Sequence, residues 1–283
     1  MLTKIEIYTE QGTMLELPIQ SPNGYLVKDI AGLDPSKANI VSSPFALLDG
    51  AKYQASRIET RNIIFTIRPQ PDYVTKTVDS LRSDLYLFFM PKSKITMKFF
   101  REGKPTVEIV GYVESLETLL FTQSPEIVIS VICMNPSFAN ISEMSLPVTP
   151  GAFISTSGVD AESVSYAGSI ETGFIFSMTL PVGSAPLSSF ALKHSFPSGG
   201  ESVLNFVGGL IAEDTVVINT VSGNKYAYLT RAGATSSVLY AISPSSKWIK
   251  LYPGSNNLSV YAVRTAGEEI PWSIVYSDKF GGL

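Results

Sequence analysis

The chain has 283 residues, of which 45% are hydrophobic and only 16% charged, with a mean hydropathy of +0.19 and a net charge of -4. The length favours two domains over one core, and no apolar run approaches the ~18 to 20 residues that span a bilayer. A pI near 5.2 lacks the basic excess that neutralises phosphates, so sequence-specific nucleic-acid binding is not expected, while the high hydropathy points to surface covered by a protein partner.

Met1 to Ile7 alternates like a strand, and Glu6 interrupts the apolar core that a signal peptide would need. Asn62 to Ile67 is a second strand, with Ile63, Phe65 and Ile67 on one face and Pro69 and Pro71 ending it. From Thr75 to Phe89, Val78, Leu81, Leu85 and Phe88 recur at spacings of three, four and three, which makes one stripe of a helix. Pro91 cannot continue it. Ile95–Phe99 and Val107–Val110 flank Gly103-Lys104-Pro105 as a hairpin, and Gly111–Ser115 follows directly. Ile127–Ile132 is apolar at nearly every position, so a central strand covered on both faces is expected. Cys133 follows as the one cysteine; no intrachain disulfide is possible, and a small core residue assembled in a reducing cytoplasm fits. Asn135-Pro136 stops the block.

Residues 137 to 168 shift to Ser, Thr, Gly, Ala and Pro, with Pro147, Pro150 and Gly151 breaking regular structure, and read as a linker plus an edge strand. Beyond them no helix is expected. Phe174, Phe176, Met178 and Leu180 alternate along one strand, and Val203–Val207 is another. Thr215–Asn219 and Tyr226–Leu229 flank Val221–Lys225 as a hairpin, and Trp248–Tyr252 and Leu258–Val263 bracket Pro253–Asn257 in the same way. Trp272–Tyr276 closes the set. Short strands joined by Gly/Pro/Asn turns indicate an antiparallel β-sandwich. The fold class is therefore mainly β with one helix, divided at about residue 140 into domains 1–140 and 141–283.

The chemistry of catalysis is sparse. His194 is the one histidine, and Lys193-His194-Ser195-Phe196-Pro197 reads as a loop, so a surface position is expected and no His/Cys zinc site is available. Glu213-Asp214 and Glu268-Glu269 are adjacent pairs that point apart on a strand, and solvated loops suit them better than a glycosidase pair; Glu114 and Glu117 read the same way. Gly199-Gly200, Gly208-Gly209 and Gly281-Gly282 lack the setting of a phosphate loop and read as turns. Tyr226, Tyr228, Tyr252 and Tyr261 fall within predicted strands, where packing is the default; sugar stacking on a β-sandwich is the alternative function they leave open. No catalytic, cofactor or metal residue is assigned.

Arg57-Ile58-Glu59-Thr60-Arg61, Leu81 to Tyr86, Gly111 to Ser115 and Cys133-Met134-Asn135-Pro136, in that order, resemble the N-terminal domain of siphophage distal tail proteins, the Dit family. Leu251 to Asn257 and Trp272 to Tyr276, with Phe280-Gly281-Gly282-Leu283, resemble the family's galectin-like C-terminal sandwich. The resemblance implies a split-barrel-like sheet with a helix, then the sandwich. It also implies a non-enzymatic virion protein at the distal end of a tail, assembled in the host cytoplasm. Its copies would form a hexameric ring that contacts the tail tube protein, the tail-associated tip or hub protein, and receptor-binding or baseplate proteins. Phage DNA would pass without specific binding, and no membrane or cofactor is implied. No long insertion interrupts either half, so the sugar-binding modules of some enlarged relatives are not expected.

Overall fold

A computed structural model describes residues 1–19, 24–46, 48–119, 125–146, 162–196, 199–262 and 270–283. The chain forms two compact units, Met1–Ile141 with Phe280–Leu283, and Ser142–Lys279. The closing tetrapeptide, grouped with the second half by sequence, therefore packs in the first unit.

The first unit contains β1 (Leu2–Thr9), β2 (Met14–Pro18), β3 (Tyr25–Ala31), β4 (Ala38–Pro44), β5 (Ala51–Ile58), β6 (Arg61–Pro69), α1 (Val78–Phe88), β7 (Lys94–Arg101), β8 (Val107–Leu119), β9 (Glu126–Cys133) and β10 (Phe138–Asn140). Its main sheet runs β2-β1-β7-β8-β9-β6-β3, all antiparallel, with β10 against β8. β2 and β3 approach each other without ladder hydrogen bonds, so the sheet curls into a barrel left open on that side. Its inward face carries Ile63, Phe65, Ile67, Met97, Phe99, Ile129 and Val131, all fully buried or nearly so.

The helix stripe falls where the spacing puts it: Leu81, Leu85 and Phe88 are buried into this core. Tyr25 ties its hydroxyl to the Leu81 carbonyl at 2.9 Å. The helix starts later than Thr75, however. Asp72 accepts from the backbone N–H groups of Val74, Thr75 and Lys76 at 2.8 to 3.0 Å, which holds those residues in a turn. Thr77 and Ser80 then form a reciprocal capping box at 3.2 and 3.0 Å.

The Ile95–Val110 hairpin forms as β7 and β8, and β8 runs on directly through Gly111 to Ser115 and beyond, with a bulge at Glu114 between Val113 and Ser115. Gly111 is required there, because a Cβ would stand 2.5 Å from Val131 Cγ1 and 2.9 Å from Cys133 Sγ. β9 is central, yet it is not covered on both faces. Ile127, Ile129, Val131 and Cys133 point inward, while Val128 and Ile132 are partly exposed, and Ser130 spends its hydroxyl on Glu114 at 2.7 Å. Burial pushes the Cys133 thiol up to about 12, as suits a core residue rather than a nucleophile.

The second unit contains β11 (Met144–Leu146), β12 (Glu162–Tyr166), β13 (Ile175–Thr179), β14 (Phe190–Ser195), β15 (Glu201–Phe206), β16 (Thr215–Asn219), β17 (Tyr226–Arg231), β18 (Ala234–Ser237), a 3-10 turn (Leu239–Ala241), β19 (Gly254–Tyr261) and β20 (Trp272–Tyr276). Two antiparallel sheets, β11-β20-β13-β16-β17-β18 and β12-β19-β14-β15, enclose one core that includes Phe174, Phe176, Met178, Leu192, Ile218 and Val260. This is a sandwich. Pro147, Pro150 and Gly151 lie outside the described residues; β12 is an edge strand.

The β16–β17 hairpin forms in the expected register, turning through Gly223 at φ +86°. The second predicted hairpin does not. β19 spends both hydrogen-bonding edges on β12 and β14, so residues 248–252 cannot join its ladder, and Leu251 bridges to Thr172 instead. His194 also departs from expectation: it lies on β14, not in a loop, and is fully buried.

Candidate assembly surfaces

Among the described residues, exposed apolar side chains gather on several surfaces, the β4–β5 ribbon and the surroundings of Tyr240 among them. In the first unit, β4 and β5 pair with each other and, among the described residues, with no other strand, outside the main sheet. Every residue of β5 is exposed, as is most of β4. Ile40, Val41, Phe45, Leu48, Tyr53 and Ile58 are all exposed, Leu48 at 76% and Ile40 at 64%. The base is closed by one backbone bond outside the ladder, Glu59 N–H to Lys37 C=O at 2.9 Å. An isolated two-stranded ribbon is marginal in water, and this one offers two open edges as well as apolar side chains. Sequence reading missed it. Asp49-Gly50, with Gly50 at φ +100°, is the turn signal that could have marked it.

Just beyond β5, Arg61 is 3% exposed and donates to the carbonyls of Pro136 at 2.8 Å and Asp34 at 2.6 Å, and also to those of Gly32 and Gly281. Its guanidinium lies 4.5 Å over the Phe138 ring. Burial lowers its pKa from the ordinary value. A planar five-donor group suits such a ring of carbonyls, and it anchors the root of the hairpin and the chain's last residues to the barrel.

In the second unit, Val207, Ile211, Leu239 and Tyr240 are exposed, Tyr240 at 85%. They are held on a rigid frame. Val207 N–H bonds Ala241 C=O at 2.7 Å, and Arg231 reaches Gly209 C=O at 2.9 Å. Arg231 also grips Asp214 through Nε at 3.0 Å and Nη2 at 2.6 Å, while Asp214 Oδ2 accepts from Ile211 N–H at 2.8 Å. The Arg231 hydrogen bonds hold the Asp214 carboxyl below the usual range, and Tyr240 lies near enough to act on Arg231 electrostatically. Asp214 was expected to be a solvated loop acid; it is buried because a cation and a backbone donor satisfy it. Tyrosine, arginine and aliphatic side chains on a fixed frame are the composition of a protein-binding patch.

The other sequence candidates scatter. Glu117 is exposed, Glu114 is bonded to Ser130, and Glu268-Glu269 fall outside the described residues. Tyr226 and Tyr228 pack together at 4.8 Å on the outer side of β17, whereas Tyr252 stacks on His194 and Tyr261 lies 5.9 Å from the Lys193 ammonium. Among the described residues, no group of three or more His, Cys, Asp or Glu is placed to hold a metal ion, and no helix is long and apolar enough to cross a membrane.

No protein-family model and no curated protein sequence matches the chain. Solved structures do. The architecture, an open β-barrel with a helix followed by a β-sandwich, is shared with a solved phage protein. The structure carrying the comparison is the SPP1 Dit protein, described as a paradigm of the hub adsorption apparatus in phages infecting Gram-positive bacteria. It aligns with a TM-score of 0.66 and 15% identity over 98% of this chain and 99% of its own. The chain has the Dit fold from end to end. Chains of the phage p2 baseplate in its activated conformation, with Sr or Ca, align at a TM-score of 0.42 and 10% identity over 96% and 97% of this chain, too distantly to add to the argument.

Proposed function

We propose that the chain is a phage distal tail protein, a structural virion component without enzymatic role. Its copies form a hexameric ring that joins the tail tube to the tail tip or baseplate and anchors host-recognition proteins. The observation that carries this reading is the end-to-end correspondence with SPP1 Dit. The exposed β4–β5 ribbon supports it, since a second copy of the chain would cover its apolar side chains and extend its edges. In this reading the first unit builds the ring and the Tyr240 patch of the second unit receives the attached proteins. Six copies at -4 each carry about -24 in total, a sign that does not trap passing DNA.

Negative-stain imaging of the purified chain tests the proposal: rings are expected, and a strict monomer at high concentration with no ring in assembled virions overturns it. A second reading, a glycan-binding module for host adhesion, draws on the paired rings of Tyr226 and Tyr228, the latter 41% exposed. A glycan array with no binding, and adsorption unchanged by Tyr228→Ala, would remove it.

A further inference from the structure

The buried His194 is chemically unusual because its surroundings fix which nitrogen can take a proton. Asn256 donates its amide N–H groups to the carbonyls of Tyr252 at 2.7 Å and Gly254 at 3.0 Å, and its Oδ1 accepts from Tyr252 N–H at 2.9 Å. The amide orientation is thereby settled, and the Oδ1 atom faces His194 Nε2 at 2.9 Å. His194 must therefore donate from Nε2. Its Nδ1 is left as a buried lone pair with no hydrogen-bond partner among the described residues. Two aromatic rings close over the imidazole, Tyr252 stacked at 6.0 Å and 3°, and Phe196 edge-on at 4.9 Å.

Charged groups offer the site little help. The side chains across the ladder from His194 are Ser202 on β15 and Leu258 on β19, with Glu162 of β12 beyond Leu258 in the same row at the edge of the sheet. Glu162 is thus two strand spacings away, roughly 10 Å. Lys193 and Glu201 neighbour this row, alternate to the opposite face, and pair with each other at 2.5 Å. The facing sheet directs Phe176, Met178, Ile218, Ile274 and Tyr276 into the core, where Tyr166 of β12, in the same sheet as His194, meets Tyr276 with Asp278 beside them. Among the described residues, a proton on Nδ1 would meet no acceptor.

We propose that His194 is an acid-sensitive latch: protonation at Nδ1 expels the ring, breaks its bond to Asn256, and frees the Tyr252–Asn256 turn together with the Phe196 end of β14. Burial lowers the His194 pKa from 6.5, so the unfolded or opened form takes the proton first. A depressed pKa sets the sign. The latch is fully closed above about pH 6.5 and weakens as pH falls toward the folded value, by up to about tenfold in the opening equilibrium per pH unit.

The test uses the full-length chain, in which His194 is the only histidine and gives an unambiguous NMR signal. At pH 7.5 the ring should show the neutral Nε2–H tautomer. Between pH 6.5 and 5, amide exchange at Tyr252, Asn256 and Phe196, each rate divided by the intrinsic exchange rate at that pH, should accelerate at least tenfold. His194→Gln, which can still donate to Asn256 and does not titrate in this range, should abolish that acceleration. Equal acceleration in His194→Gln overturns the proposal. Should that variant fail to fold, the wild-type resonance decides alone: titration at or above pH 6.5, or titration with no change in exchange, also overturns it.

Discussion

The chain contains two antiparallel hairpins of similar size that meet opposite fates. β16–β17 is inserted between β13 and β18, so Val216, Ile218 and Ala227 are buried in a sandwich core. Among the described residues β4–β5 has no third strand beside it, and Ile40, Val41 and Tyr53 stay exposed. Both sequences carry β-branched and aromatic residues, so strand propensity does not distinguish them. The difference is whether the apolar side chains find partners within their own unit. A ribbon that lacks them leaves its apolar side chains exposed in the single chain, whereas one that has them belongs to the scaffold.

The largest effects should come from charges placed in the scaffold. Leu85→Asp buries an unpaired carboxylate between α1 and the barrel, and Val216→Asp does so within the sandwich; each should cost several kcal/mol, about 3 to 5. Leu85→Asp is expected to abolish ring assembly as well, and normal ring yield would mean the helix faces another way. The counterpart is Ile40→Asp combined with Leu48→Asp in the β4–β5 ribbon. Both positions are exposed in the single chain, so its melting should shift by no more than about 0.5 kcal/mol per site. Ring formation, followed by light scattering, should be lost. If the ribbon variant melts like Val216→Asp, the two hairpins are alike and the comparison fails.

How far these differences were legible in the sequence follows from the same physics. The helix stripe at Val78, Leu81, Leu85 and Phe88, the alternation at Phe174 to Leu180 and the Gly223 turn are local patterns, and each formed where its spacing put it. Failures arose where a long-range partner decided. His194 sits in a sequence that looks like a loop, yet β15 and β19 pair on either side of it. Residues 248–252 have strand composition, but the strand they were assigned to was already paired on both edges. Asp214 looked solvated because Arg231, 17 residues away, is invisible to local reading. The candidate assembly ribbon is hard to read in the sequence for a related reason: it forms no part of a core, so no core periodicity marks it.

The smallest effect tests what secures the inner hairpin. Asp214 precedes β16 and Arg231 ends β17, so their bidentate bond clamps the open end of that hairpin, which β4–β5 closes with the single backbone bond from Glu59. Asp214→Asn keeps the size and weakens the clamp, at a cost of about 1 to 2 kcal/mol near neutral pH. Its pH signature is the sharper readout. The Asp214 pKa is lowered in the folded chain below its ordinary 3.8, first by the Arg231 hydrogen bonds. An unfolded chain therefore binds the proton more readily, and the stabilisation is present above about pH 4 and lost as pH falls below it. Denaturant melts of the second unit should converge for wild type and Asp214→Asn as pH drops from 5 toward 3. Parallel curves over that range would show that the carboxylate charge contributes nothing, and that the inner hairpin is held by its buried face alone.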